Sequence, residues 1–379
     1  MDFAFSEDDL MIKETAREFA EKRLIPNALH YDEEDGIPQE LVEEISGLGY
    51  LGIMLPEKYG GLGLSTVSFC GALEEICAAC AGVGILLSVQ NSLCNEIIYK
   101  FGSDYLKEKY LPQMAEGMIG SYCITEPNAG TDVSGITTQA VNNGDSYLIN
   151  GAKAFVTNGG FAGIFIVFAV TDPTLGNKGI SCFAVEAKTP GISIGAKENK
   201  CGMRASDTRE ISFIDVKVPK ENMIGERGAG FKTALTILNS GRIGVSFQSI
   251  GIARAALEEA IKYSKERKQF KQPIANFQAI QFKIAEMATQ IDAGRLLAYR
   301  AAKMKDEGKP IVREASMSKL FCSQMANRVA SEAVQIHGGY GYMKEYPVER
   351  YFRDARVTEL YEGTTEAQKL TIARDLLKD

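Results

Sequence analysis

The chain opens with a helical rhythm of apolar and polar positions. Met11, Thr15 and Phe19 share one face, and Ser6 followed by Asp9 forms a capping-box signal. The same period runs through residues 41–50, 67–102 and 105–117, interrupted by a glycine-rich turn at Gly60, Gly61 and Gly63. Between about 121 and 228 the pattern changes to short β-branched and aromatic runs: SYLI, KAFVT, IFIVFAV, ISCFAVE and EISFIDVKV. Asn143-Gly144 and Asn150-Gly151 are hairpin signals, and Pro219 ends the last run because proline cannot donate to a ladder. The helical period then returns. Ala256, Leu257, Ala260 and Ile261 form one stripe, Ile280, Ile284, Met287 and Ile291 another, and Gly308-Lys309-Pro310 marks a helix stop and restart. The order predicts an α+β protein with an α-helical domain at 1–120, a β barrel or sandwich at 121–228, and a bundle of long antiparallel helices at 229–379.

Composition narrows the chemistry. At 379 residues the chain exceeds the ~250 at which single cores stop growing, so several domains are expected. A net charge of -7 gives no general attraction to nucleic acid or anionic lipid. The apolar stretch Phe161 to Val170 is half the ~20 residues of a membrane helix and reads as a buried strand. The acidic start MDFAFSEDDL lacks the basic and apolar regions of a signal peptide, which predicts a cytoplasmic protein. Eight scattered cysteines then read as free buried thiols, Cys77 and Cys80 included. With only His30 and His337 present, histidine-rich metal sites and most Ser-His-Asp schemes are excluded, and no metal is expected. Catalysis falls to carboxylates, hydroxyls or a cofactor. No GxGxxG or P-loop occurs, so a dinucleotide would be held by loops and helix N-termini.

Four segments are candidates. Tyr122 to Ser134, where the helical and β regions meet, offers hydroxyls at Thr125 and Thr131, a flat ring at Tyr122 and close approach at Gly130. It also reads as a polar linker with a Pro-Asn turn. Lys153 to Gly160 is a strand end carrying Phe155 and Thr157, and Glu266 to Phe270 is a helix end whose donors suit a phosphate or simply water. Tyr361 to Glu366 places Glu362 beside an aromatic and a glycine. Buried, that carboxyl would have a raised pKa and serve as a base; exposed, it is a charged loop residue.

Taken together and in order, ITEPNAGTD, FVTNGG, ERKQF, QIHGGYGYMKEYPVER with FRDA, and YEGT resemble the acyl-CoA dehydrogenase family over essentially the whole chain, most closely its short-chain (butyryl-CoA) branch. The resemblance implies an N-terminal α domain, a middle β domain and a C-terminal four-helix bundle, with FAD as cofactor and an obligate homotetramer, a dimer of dimers. Tyr122, Ile124 and Thr125 would line the flavin, Gly130 and Thr131 its phosphates or the substrate, and Phe155 and Thr157 its ring. Arg267, Gln269, Phe270 and Ile274 of each subunit would reach the neighbour's pyrophosphate, Gln335 and Gly339 the adenosine half, while Thr364 and Glu366 touch the cofactor after the base. Thr131, Asn239, Arg242, Tyr361, Gly363 and Arg374 would meet the acyl-CoA.

By the same resemblance Glu362 removes the alpha proton of the thioester, hydride leaves the beta carbon for the flavin, a trans-2-enoyl-CoA forms, and electrons pass to electron-transfer flavoprotein. Other branches carry their base near Asn239 to Ile243, where this chain has Gly241, so no carboxylate competes. Lys271 replaces a glycine usual after ERKQF, and Asn239 an acid. Residues 88–94 are expected to close the acyl pocket. A pocket widened around Gln90, Asn91 and Gly241 would admit a branched or alicyclic acyl-CoA instead, and a non-catalytic acyl-CoA-binding scaffold is the remote alternative.

Overall fold

The computed structural model describes residues 5–378. Seven α-helices come first: α1 (Glu7–Phe19), α2 (Ala28–Glu33), α3 (Gln39–Gly47), α4 (Thr66–Ala79), α5 (Ala81–Ser88), α6 (Glu96–Phe101) and α7 (Asp104–Glu116). The capping box forms as expected, with Asp9 N–H donating to Ser6 Oγ at 3.1 Å and Ser6 N–H to the Asp9 carboxylate at 2.9 Å. The buried face of α1 is Ile12, Ala16 and Phe19, whereas Met11 is 65% exposed. The face read from Met11 is thus offset by one residue, because Met11 and Ile12 are both apolar and only packing against α4 selects between them.

The 67–102 run is also not one helix. Cys80 adopts an extended conformation between α4 and α5, and residues 89–95 widen into a π-helical turn. Here Asn91 donates to Tyr50 O and Leu87 O and accepts from Ile53 N–H, while Asn95 donates to Leu51 O. Gln90 donates to the carbonyls of Met114 and Met118 and accepts from Gly120 N–H. All three amides brace this turn against its neighbours.

The middle region is one eight-stranded sheet: β1 (Ile119–Cys123), β2 (Gln139–Asn143), β3 (Ser146–Thr157), β4 (Ala162–Val170), β5 (Ile180–Glu186), β6 (Ile192–Lys197), β7 (Thr208–Pro219) and β8 (Met223–Ile224). Its order is β6-β7-β3-β2-β4-β5-β8, with β1 parallel to β4. Asn143-Gly144 does close the β2–β3 hairpin, Asn143 pairing with Ser146. Asn150-Gly151 does not turn the chain. It lies inside β3 as a bulge, where Gly151 (φ 150°) passes so close to Thr138 that no Cβ would fit. The apolar run Ile164 to Ala169 of β4 is fully buried.

Three long helices follow, α8 (Gly230–Glu266), α9 (Gln278–Asp306) and α10 (Val312–His337), with a small hairpin β9 (Lys268–Gln269) and β10 (Gln272–Pro273) between the first two. The shorter α11 (Val348–Val357) and α12 (Thr365–Leu376) pack on α10. Helix α4 lies along α8 and is tied to α8 and α9 by part-buried ion pairs, Arg254 of α8 to Glu75 at 2.6 Å and Arg295 of α9 to Glu74 at 2.9 Å. The carboxylate of Asp306 caps α4, accepting from Thr66 N–H at 2.8 Å. The N-terminal helices thereby form one wall against the middle of α8, the stretch that carries Gly241 and Arg242. No helix among the described residues is long and apolar enough to cross a membrane.

Candidate active site

The link between α11 and α12 carries the candidate base. Glu362 has φ 53° and Gly363 φ 93°, so two successive residues are left-handed, which for the glutamate costs on the order of 1–2 kcal/mol. Several bonds hold this turn. Lys319 Nζ of α10 donates to Gly363 O at 2.6 Å, and Gln368 Nε2 of α12 donates to the same oxygen at 2.9 Å and to Glu362 O at 3.3 Å. Thr364 caps α12 by accepting from Ala367 N–H, and the Tyr361 hydroxyl donates to Gln248 Oε1 of α8.

The turn aims the Glu362 side chain at α8. A methyl group added at Gly241 would stand 2.5 Å from Glu362 Oε2 and 2.9 Å from Leu93 Cδ2, so the carboxylate occupies the space that the missing side chain leaves. Glu362 is part-exposed as a residue, but its Oε2 is buried and has no hydrogen-bond partner among the described residues. Burial pushes its carboxyl up to about 7, against the pull of the Arg242 and Lys319 charges. Arg242 is itself buried, donating from one terminal nitrogen to Asn239 Oδ1 at 2.9 Å and Ser316 Oγ at 3.1 Å. A desolvated, unpartnered carboxylate that titrates near neutrality has the properties of a general base.

The second element is the junction after β1. Tyr122, Ile124 and Tyr361 pack against one apolar cluster containing Leu93, Phe168 and Ile237, which brings the ITEP and YEGT segments to the same place. The junction is held by a buried ion pair, Lys153 Nζ to Glu126 Oε1 at 2.7 Å, with further bonds to Glu126 from Thr137 N–H, Thr137 Oγ1 and Thr138 N–H. Burial raises the Glu126 carboxyl, but Lys153 and these donors outweigh it and hold it down at about 2. Burial pulls Lys153 in the unfavourable direction, below an ordinary lysine; its tight contact with Glu126 is what keeps the pair intact. Next to Lys153, Ala154 N–H donates to Thr125 O at 2.9 Å, and Phe155, at φ 55°, turns its ring outward to 67% exposure.

These features fit a flat, polar-edged ligand. The ring of Phe155 is uncovered, Thr157 is half-buried beside it, and the hydroxyls of Tyr122 and Thr365 are buried without partners among the described residues. Gly130 faces open space where a Cβ would stand, and Thr131 is exposed. A flavin dinucleotide suits this combination of free aromatic face, orphaned hydroxyls and open backbone.

A separate exposed patch gathers the remaining predicted residues. Gln269 and the 87% exposed Phe270 lie on the β9–β10 hairpin, Ile274 N–H donates to Arg267 O, and Arg267 covers the Tyr340 ring at 5.4 Å, beside Gln335 and Gly339. Lys271 adopts φ 67°, taking up the left-handed geometry that a glycine would adopt without strain. Glu366 and Arg374 are exposed on α12. Within one chain this patch is uncovered, whereas Asn239 is bonded to Arg242, whose guanidinium lies close to Gly363 in the turn with Tyr361 and Glu362. Four contributors went unread in the sequence: Lys319, Gln368, Gln248 and the Glu126–Lys153 pair. For Lys319 the sequence misleads, since Ser316, Lys319 and Ser323 at helical spacing read as a solvated face, whereas the fold buries them.

Models of the acyl-CoA dehydrogenase N-terminal, middle and C-terminal domains match residues 6–118, 121–216 and 228–377. The chain belongs to the acyl-CoA dehydrogenase family. An acyl-CoA dehydrogenase is a flavoprotein oxidoreductase, which agrees with the buried carboxyl oxygen of Glu362. The short-chain specific acyl-CoA dehydrogenase of Megasphaera elsdenii is 48% identical, with both chains covered completely. A chain solved in work on the electron transferring flavoprotein of Acidaminococcus fermentans superposes with a TM-score of 0.99 at 48% identity, again over the full length of both. The glutaryl-CoA dehydrogenase of Mycobacterium smegmatis, in complex with FADH2, has a TM-score of 0.93 at 34% identity and covers 98% of this chain and 95% of its own.

Proposed function

We propose that this acyl-CoA dehydrogenase removes two hydrogens from a short-chain acyl-CoA, giving the trans-2-enoyl-CoA, with Glu362 as the base. The observation that carries the reading is the buried, unpartnered Oε2 of Glu362, held beside Arg242 by a left-handed turn. The alpha proton beside a thioester is weakly acidic, so the base must be dry and poised near neutral pH. Both conditions follow from the wall that Leu93 and Gly241 make against it. The Glu362 backbone N–H, fixed by the same turn, is suited to stabilise charge growing on the thioester oxygen.

FAD, when bound, supplies the acceptor for the hydride from the beta carbon. Tyr122, Ile124, Thr125, Phe155 and Thr157 would hold its ring, and Gly130, Thr131, Thr364 and Glu366 would lie along it. The uncovered patch of Arg267, Gln269, Phe270, Ile274, Gln335 and Gly339 supports assembly into a homotetramer in which each subunit completes its neighbour's cofactor site. Asn239, Arg242, Tyr361, Gly363 and Arg374 would serve the acyl-CoA. Similarity to the Megasphaera short-chain enzyme supports a short acyl group, and similarity to the Acidaminococcus chain supports an electron-transfer flavoprotein as acceptor.

The test is anaerobic addition of butyryl-CoA to the purified yellow protein and to Glu362→Gln. Wild type should bleach rapidly, and the variant should keep its flavin and melting temperature but bleach about 100- to 10,000-fold more slowly. Full-rate bleaching by the variant would remove Glu362 from the reaction.

A further inference from the structure

Lys319 has no surface role. It projects from the first half of α10, is fully buried, and its one hydrogen-bond acceptor among the described residues is the carbonyl of Gly363, the residue after the base, at 2.6 Å. An ammonium group with three donors, buried with a single acceptor, is a poor way to stabilise a fold. Replacing such a cation by a well-packed apolar side chain is commonly neutral or stabilising. Its position requires another account, and the charged groups around it supply one.

Four such groups face the ammonium. Glu362 presents the opposite charge of the base, Arg242 of α8 adds a like charge across the same carboxylate, and Glu359 and Glu366 flank the turn from its two ends. Burial lowers Lys319 to about 8, so it is still mostly protonated at neutral pH. Two cations from different helices thus act on Glu362, and neither is hydrogen-bonded to its buried oxygen Oε2. Arg242 is anchored to Asn239 and Ser316, while Lys319 is anchored to the backbone of the turn itself.

We propose, resting on the assignment of Glu362 as base, that Lys319 is a positioning residue: its ammonium pins the left-handed Glu362–Gly363 turn through the Gly363 carbonyl and places a second positive charge near the base. The carboxylate can then remain unpaired, and so free for the substrate proton, without becoming a permanently protonated acid in its dry pocket. The two functions separate by substitution. Lys319→Gln keeps a donor for the Gly363 carbonyl and removes the charge, whereas Lys319→Met removes both at similar volume.

The experiment follows the carboxylic-acid C=O band of Glu362 by infrared difference spectroscopy across a pH titration of the flavin-loaded protein, together with the acid limb of the anaerobic bleaching rate. Glu362→Gln, which lacks the band, assigns it. Lys319→Gln should keep the wild-type melting temperature and flavin content but move both the band and the acid limb upward by about one pH unit. Lys319→Met should show the same displacement plus a further fall in the bleaching rate above the limb, because the turn is no longer pinned. A Lys319→Gln protein whose band and acid limb coincide with wild type overturns the proposal, even if Lys319→Met fails to fold. If Glu362→Gln instead bleaches at full rate, the base assignment fails; the infrared titration then still reports whether Lys319 sets the charge of Glu362.

Discussion

Gly241→Ala isolates the geometry of the base from the stability of the fold. The added Cβ would stand 2.5 Å from Glu362 Oε2 and 2.9 Å from Leu93 Cδ2, while ordinary contact begins at 3.4 Å. The carboxylate oxygen must therefore retreat by about 0.9 Å, and Leu93 by about half an ångström. Both obstructing atoms are ends of flexible side chains, so crowding should cost only about 1 kcal/mol. Alanine inside a long helix recovers a similar amount over glycine, about 0.5–1 kcal/mol, and the melting temperature should hardly move. Catalysis is far less tolerant. A displacement near 1 Å at a reacting group costs about 100-fold in rate, equivalent to about 2.7 kcal/mol of barrier. Stopped-flow bleaching with saturating butyryl-CoA under anaerobic conditions reads that step, alongside a thermal melt. A variant that bleaches within twofold of wild type would show that the carboxylate does not sit against Gly241 when it reacts, and the steric argument would fall.

Two further outcomes are expected. Glu126→Gln leaves Lys153 buried without its counter-charge and should destabilise the protein by about 3–5 kcal/mol at neutral pH. Because the folded carboxyl lies near 2, below its ordinary 4.5, this stabilisation is complete above 4.5 and disappears as the pH falls through about 2. Urea unfolding of both proteins at descending pH should show the gap closing on the acid side; a constant gap would refute the charge argument. Phe155→Ala removes a ring that is 67% exposed, so apoprotein stability should change little, while FAD should bind about tenfold more weakly for loss of an aromatic face. Fluorescence titration of apoprotein with FAD measures this, and unchanged affinity would place the ring elsewhere.

The alternation of helical, strand and helical periods along the chain was legible because burial imposes a period of 3.6 or 2 on apolar residues wherever an element has one covered face. Local capping chemistry was legible for the same reason: Ser6 and Asp9 need only each other. Asn150-Gly151 shows where local reading stops, since the same dipeptide makes a turn or a bulge according to what lies across the sheet, and here Thr138 does. Met11 against Ile12 was likewise decided by α4, far away in the chain. The five motifs pointed to Thr125, Phe155, Arg267 and Glu362 as types and positions, but nothing in their order along the chain states that Glu362 is dry, left-handed and unpaired. Those properties arise from Gly241, Leu93, Gln368 and Lys319, residues up to hundreds of positions distant, because desolvation and backbone geometry are set by whatever the folded chain brings into contact. The identity of the reacting groups belongs to the sequence; their acidity and their aim belong to the tertiary structure.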